Sequence, residues 1–154
     1  MVAASILAEL GPDMSVFPTA AHAASWAGVC PGNNESAGKR SCGTPTRGNS
    51  ALKTMLCQAA HAASHTKKGY LRDKFYRLKA RRGHNRALMA IAHRLLVAAY
   101  YMLRDSVPFK DLGEDYLDNR DKSRLVSNLL ARLRSLGIDA TVNTSHPPTA
   151  SASA

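Results

Sequence analysis

The stretch from Asn85 to Asp105 constrains the fold of this chain more than any other. Leu88, Ile91, Ala92, Leu95, Leu96, Ala99, Met102 and Leu103 recur there at the spacing of one helix face, and Pro108 ends the run. A helix of that length must bury its apolar stripe against neighbours. The chain offers several. From Asn49 or Ser50 to about His65, the residues Leu52, Met55, Leu56, Ala59, Ala60 and Ala63 keep the same period and give a narrow, alanine-lined face suited to close packing. A basic helix from Tyr70 to Arg82 presents Leu71, Phe75 and Leu78 and stops at Gly83. Lys122 to Leu136 is amphipathic through Leu125, Leu129, Leu130, Leu133 and Leu136, closed by Gly137. Two short helices precede these, one over residues 3–10 that stops at Gly11-Pro12-Asp13 and one from the N-cap Thr19 to Trp26.

No strand alternation is convincing. The expected fold is therefore mainly α: one small helical domain over residues 1–137 with a long loop between its second and third helices, then a disordered tail over 138–154. That tail is rich in serine, threonine, proline and alanine from Thr141 on.

The loop, residues 28–47, has no apolar period, and long loops inside a compact domain are usually functional or disordered. Within it, Gly28-Val29-Cys30-Pro31-Gly32-Asn33-Asn34-Glu35-Ser36-Ala37-Gly38-Lys39-Arg40 sets Ser36 between glycines and just ahead of two cations. Thr46 to Lys53 reads as a turn and a helix start, whose free amides and positive dipole end favour a phosphate oxygen nearby. On composition alone Ser36 is more readily a loop-turn residue than a nucleophile, because a serine hydroxyl needs a base, a metal or strong electrostatic help. Glu35 is adjacent, and nothing in the chain plainly supplies that base.

Charge points the same way. Thirteen of the 21 Lys and Arg residues fall between positions 39 and 86, where Asp73 is the sole acid, so this segment carries +12; the remainder, with eight cations and ten carboxylates, sums to −2. Such clustering suits a polyanion, since each phosphate contact releases condensed counterions. The candidate nucleic-acid contacts are Lys39, Arg40, Arg47, Lys53, Lys67, Lys68, Arg72, Lys74, Arg77, Lys79, Arg81, Arg82 and Arg86.

Cys30, Cys42 and Cys57 make an odd set without paired spacing, so free thiols in a reducing compartment are expected. No stretch reads as long and apolar enough to span a bilayer, and a cytoplasmic location follows. Cys57, His61 and His65 share a four-residue spacing, yet four zinc ligands are not evident and no metal site is assigned. Trp26, Tyr70 and Tyr76 can stack on bases, although an aromatic at helical spacing is more often core. The acidic connector from Lys110 to Asp121 could touch another domain or subunit.

The order of motifs resembles the carboxy-terminal domain of IS one-ten family insertion-sequence transposases, relatives of the pilin-inverting recombinases. The resemblance rests on Phe17-Pro18, then Ser25-Trp26-Ala27-Gly28-Val29-Cys30-Pro31, Asn33 to Arg40, and Arg47-Gly48-Asn49 opening a helix that ends Ala59-Ala60-His61-Ala62-Ala63. It continues through Tyr70, Phe75, Gly83, His84, Asn85 and Ala87 to Tyr100 and Leu103. It implies a two-part enzyme for DNA transposition: an amino-terminal RNase-H-like domain whose four acids hold magnesium, and a carboxy-terminal domain whose serine, matched by Ser36, attacks DNA. It also implies an element-encoded guide RNA. Since Met1 to Leu10 matches partway through the segment before the motif, the expectation is a truncated fragment, inactive alone, without a cofactor of its own, that can associate with an intact transposase. The alternative is a non-catalytic basic protein that binds RNA or DNA or regulates an intact transposase.

Overall fold

The computed structural model describes residues 2–30, 34–42, 45 and 47–142. They form helices α1 (Val2–Leu10), α2 (Ala20–Trp26), α3 (Ser50–Ser64), α4 (Tyr70–Arg82), α5 (His84–Asp105), α6 (Tyr116–Arg120) and α7 (Lys122–Ser135). A 3-10 turn (Met14–Val16) follows α1, and the strands β1 (Asn34–Ser36) and β2 (Lys39–Cys42) lie between α2 and α3. The mainly helical expectation holds. The hairpin departs from the reading that no strand was present, because strands this short leave too few residues for an alternating pattern to show. The chain divides into two compact units, residues 1–117 and 118–154.

In the first unit α5 is the central element, and α2, α3 and α4 pack against it while α1 packs on α3. Ile91, Leu96 and Tyr100 of α5 are buried together with Leu52, Leu56 and Ala60 of α3. From α2 and the turn after it, Ala23, Ala24 and Ala27 are fully buried, so small residues let helix backbones approach closely. The buried Tyr100 hydroxyl donates to the Phe17 carbonyl at 2.9 Å, which satisfies the one polar group this ring brings into the core.

Local chemistry sets the helix starts. Thr19 caps α2, its Oγ1 accepting from the His22 N–H, and Asn49 caps α3, its Oδ1 accepting from the Leu52 N–H at 3.1 Å. α4 begins after Gly69, which has no capping side chain of its own; Asp111 reaches back and accepts from the Tyr70 N–H at 3.3 Å. The acidic connector thus closes onto the basic segment of the same unit. Glu114 pairs with Lys68 at 3.2 Å, and the Tyr116 ring meets Tyr70 edge-on at 5.6 Å.

By length and apolar composition α5 is, among the described residues, the one helix that could cross a membrane, against the sequence reading that none was long and apolar enough. Its many alanines raise its apolarity while serving a different end, the close approach of three packed helices. In the second unit α7 leaves Leu125, Val126, Leu130 and Leu133 half-buried and Leu129 and Leu136 exposed, with no helix residue fully buried. Of the tail expected to be disordered, residues 143–154 lie outside the described residues.

Candidate nucleic-acid interface and serine hairpin

The loop between α2 and α3 is closed at its base by three contacts. The Asn49 N–H donates to the Trp26 carbonyl at 3.0 Å. The Asn49 Nδ2 donates to Glu9 Oε2 at 2.7 Å and ties the start of α3 to α1. Gly48, at φ +50, passes so close to the turn after α2 that a Cβ there would lie 2.3 Å from the Gly28 nitrogen. Glycine is required at that crossing on both counts. Sequence reasoning identified Arg47-Gly48-Asn49 as a helix start but missed Glu9, forty residues from its partner and marked by no local signal.

Above this base β1 and β2 pair antiparallel, with Ser36 opposite Lys39, Glu35 opposite Arg40 and an irregularity between Asn34 and Glu35. Ala37 (φ +50) and Gly38 (φ +74) form the two-residue connection, with the positive φ values of a type I′ turn. Ser36 is therefore the last strand residue before the tip. Of the loop motif, Pro31, Gly32 and Asn33 lie outside the described residues.

The remaining candidate cations sort by what they touch. Arg77 is held by Asp73 at 2.9 Å, one helical turn earlier, and Lys68 by Glu114. The Lys74 Nζ donates to the Tyr70 hydroxyl at 2.9 Å. Lys53 lies half-buried in the first turn of α3, near Cys57. Arg72 and Lys79 flank the Tyr76 ring at 5.3 and 5.7 Å from its centroid. Arg47, Lys67, Arg81, Arg82 and Arg86 are exposed, and among the described residues no carboxylate pairs with them. Three of these five bracket Gly83, where α4 turns into α5, so the unneutralised charge concentrates at that corner.

His61, His65 and His84 also gather near this corner: the His61 and His65 Nε2 atoms are 3.4 Å apart, and the His84 ring lies edge-on to His61 at 6.5 Å. Burial raises the Cys57 thiol, with Lys53 opposing, and burial likewise raises Cys30, so both favour the protonated, unreactive form. Among the described residues no three His, Cys, Asp or Glu side chains converge as a metal site. A hard dication such as the magnesium implied for the complete enzyme needs several oxygen ligands together.

The model of one family matches residues 1–77, half of the chain, from α1 through most of α4. The chain belongs to the transposase IS116/IS110/IS902 family. No curated protein and no solved structure gives a significant match. For a member of the IS116/IS110/IS902 family, the general role is in transposition, which entails interaction with DNA. The matched residues contain the whole closed loop with Ser36, Lys39 and Arg40, and also Arg47, Lys53, Lys67, Lys68, Arg72, Lys74 and Arg77, while Lys79, Arg81, Arg82 and Arg86 lie beyond them.

Proposed function

We propose that this chain acts in DNA transposition as the serine-bearing, nucleic-acid-binding part of the enzyme, with Ser36 as the attacking group and the cations of residues 39–86 as the binding surface. The observation that carries this reading is the family match across a loop that ends its first strand at Ser36 and is clasped at its base by Gly48 and Asn49. In the covalent step the Ser36 oxygen forms a bond to phosphorus as the strand's own ester oxygen leaves with the proton. Cations close to the phosphate lower the energy of the extra negative charge in the transition state. In this reading the acidic, magnesium-binding function is supplied by a second domain, as the family resemblance implies. On its own the chain binds without cutting. An element-encoded guide RNA meets the same basic segment, and assembly with an intact transposase in the cytoplasm completes the site.

Two measurements test this. Binding to DNA and RNA across a salt series should weaken steeply as salt rises, and changing Arg81, Arg82 and Arg86 together to alanine should flatten the slope by about three contacts' worth. Flat binding in both proteins would remove the interface. With the acidic domain of a close relative supplied, Ser36→Ala should keep nucleic-acid affinity and lose strand joining and the covalent adduct, while Ser41→Ala keeps both. An adduct that persists in Ser36→Ala would reassign the nucleophile. Salt-sensitive binding with no Ser36-dependent chemistry would favour the non-catalytic alternative.

A further inference from the structure

We propose that Tyr76 is a stacking platform for one unpaired base of a single-stranded nucleic acid. This rests on the reading that the basic segment meets nucleic acid, and it names the state of the strand that segment takes. Tyr76 lies in the middle of α4 and is 45% exposed. Arg72, four residues before it, and Lys79, three after it, share its helix face and bring their charges within 5.3 and 5.7 Å of the ring centroid. Neither cation has a carboxylate partner among the described residues. The Phe75 ring meets Tyr76 nearly at right angles, 5.4 Å away.

The other aromatic residues named as stacking candidates lack this setting. Tyr70 is buried and bonded to Lys74, and Trp26, 42% exposed beside Phe17, has no cation over its ring among the described residues. Tyr101 is almost as exposed as Tyr76 and has Arg104 over its ring, but that guanidinium is bonded to Asp105 at 2.6 Å.

An exposed aromatic between two unneutralised cations has a use for a single strand that it lacks for a duplex. Every base has a π face, and stacking a whole base on a tyrosine outweighs an exposed cation–π contact. The incoming base therefore displaces one cation, which remains within reach of the phosphate beside that base. In a duplex the bases already stack on one another and offer the ring nothing.

Anisotropy titration of the full chain with short labelled single strands of RNA and DNA of one sequence, and with the corresponding DNA duplex, tests the proposal. Tyr76→Ala should lower single-strand affinity about tenfold while leaving duplex affinity and the salt slope within about twofold of wild type. Tyr76→Phe should retain binding, and Tyr101→Ala should behave as wild type. Equal losses on RNA and DNA support a base as the ligand, and a loss on one of them supports the platform and assigns it to that strand. Unchanged single-strand affinity in Tyr76→Ala, or an equal loss on duplex, overturns the platform while the basic interface stands. A wild-type chain that binds no strand at all overturns both.

Discussion

Gly48 carries no side chain because its neighbour's backbone already occupies the place where one would be. An added Cβ meets the Gly28 nitrogen and Cα at 2.3 and 2.5 Å, and neither can rotate away as a side-chain tip could. Gly48→Ala should therefore destabilise the chain by about 2 to 4 kcal/mol in urea unfolding, through overpacking and a left-handed backbone together. Gly83→Ala, where φ is +83 but nothing lies within 4 Å of the added atom, should lose only about 1 kcal/mol. A second residue-scale effect belongs to His93 on α5. Burial, with help from Arg94, lowers its affinity for a proton below the ordinary value of 6.5. The unfolded chain then takes up that proton first, so the contribution of neutral His93 is intact above about pH 6.5 and is lost as pH falls below it. Urea midpoints measured between pH 7.5 and 5.5 should decline, and His93→Gln should flatten part of that decline.

The elements differ in how far the sequence reveals them. α3, α4, α5 and α7 each carry an apolar stripe over several turns, so their ends fall within one or two residues of those read from periodicity. The hairpin has no such redundancy. Its strands are three and four residues long, and its turn is Ala37-Gly38, without the asparagine or aspartate that usually announces a type I′ connection. The long-range partners were equally hidden: nothing near Asp111 marks it as a cap for α4, nor Glu9 as a partner of Asn49. Ser36 and the basic residues, by contrast, were legible as residue types in a pattern, while the sorting of cations into held and unneutralised needed the carboxylates in place. Asp111→Ala should weaken α4 by about 1 kcal/mol, since it removes an N-terminal acceptor and a negative charge at the positive end of the helix dipole. Hydrogen exchange of the first α4 amides, compared with those of α5, measures that loss.

At the scale of the whole molecule, the division of labour between α5 and the loop decides what the chain does alone. The helices bury their apolar faces and hold a clasp, and exposed, unneutralised charge gathers at the α4–α5 corner, while in the proposed function the loop supplies the chemistry. Purified chain incubated with supercoiled DNA and magnesium should bind without nicking or joining it; products abolished by chelation would show metal ligands within this sequence. The clasp has another consequence. Because Trp26 and Asn49 are bonded across the loop and α2 packs on α5, the covalent path through the hairpin tip is redundant with non-covalent contacts between the halves it joins. A protease site placed between Ala37 and Gly38, once cut, should yield two peptides that migrate together on a native gel and separate only in denaturant. The amino-terminal piece would contribute Leu10, Met14, Ala23, Ala24, Ala27 and Val29 to a core the other piece cannot fill, so the two halves should also reassemble when made as separate chains.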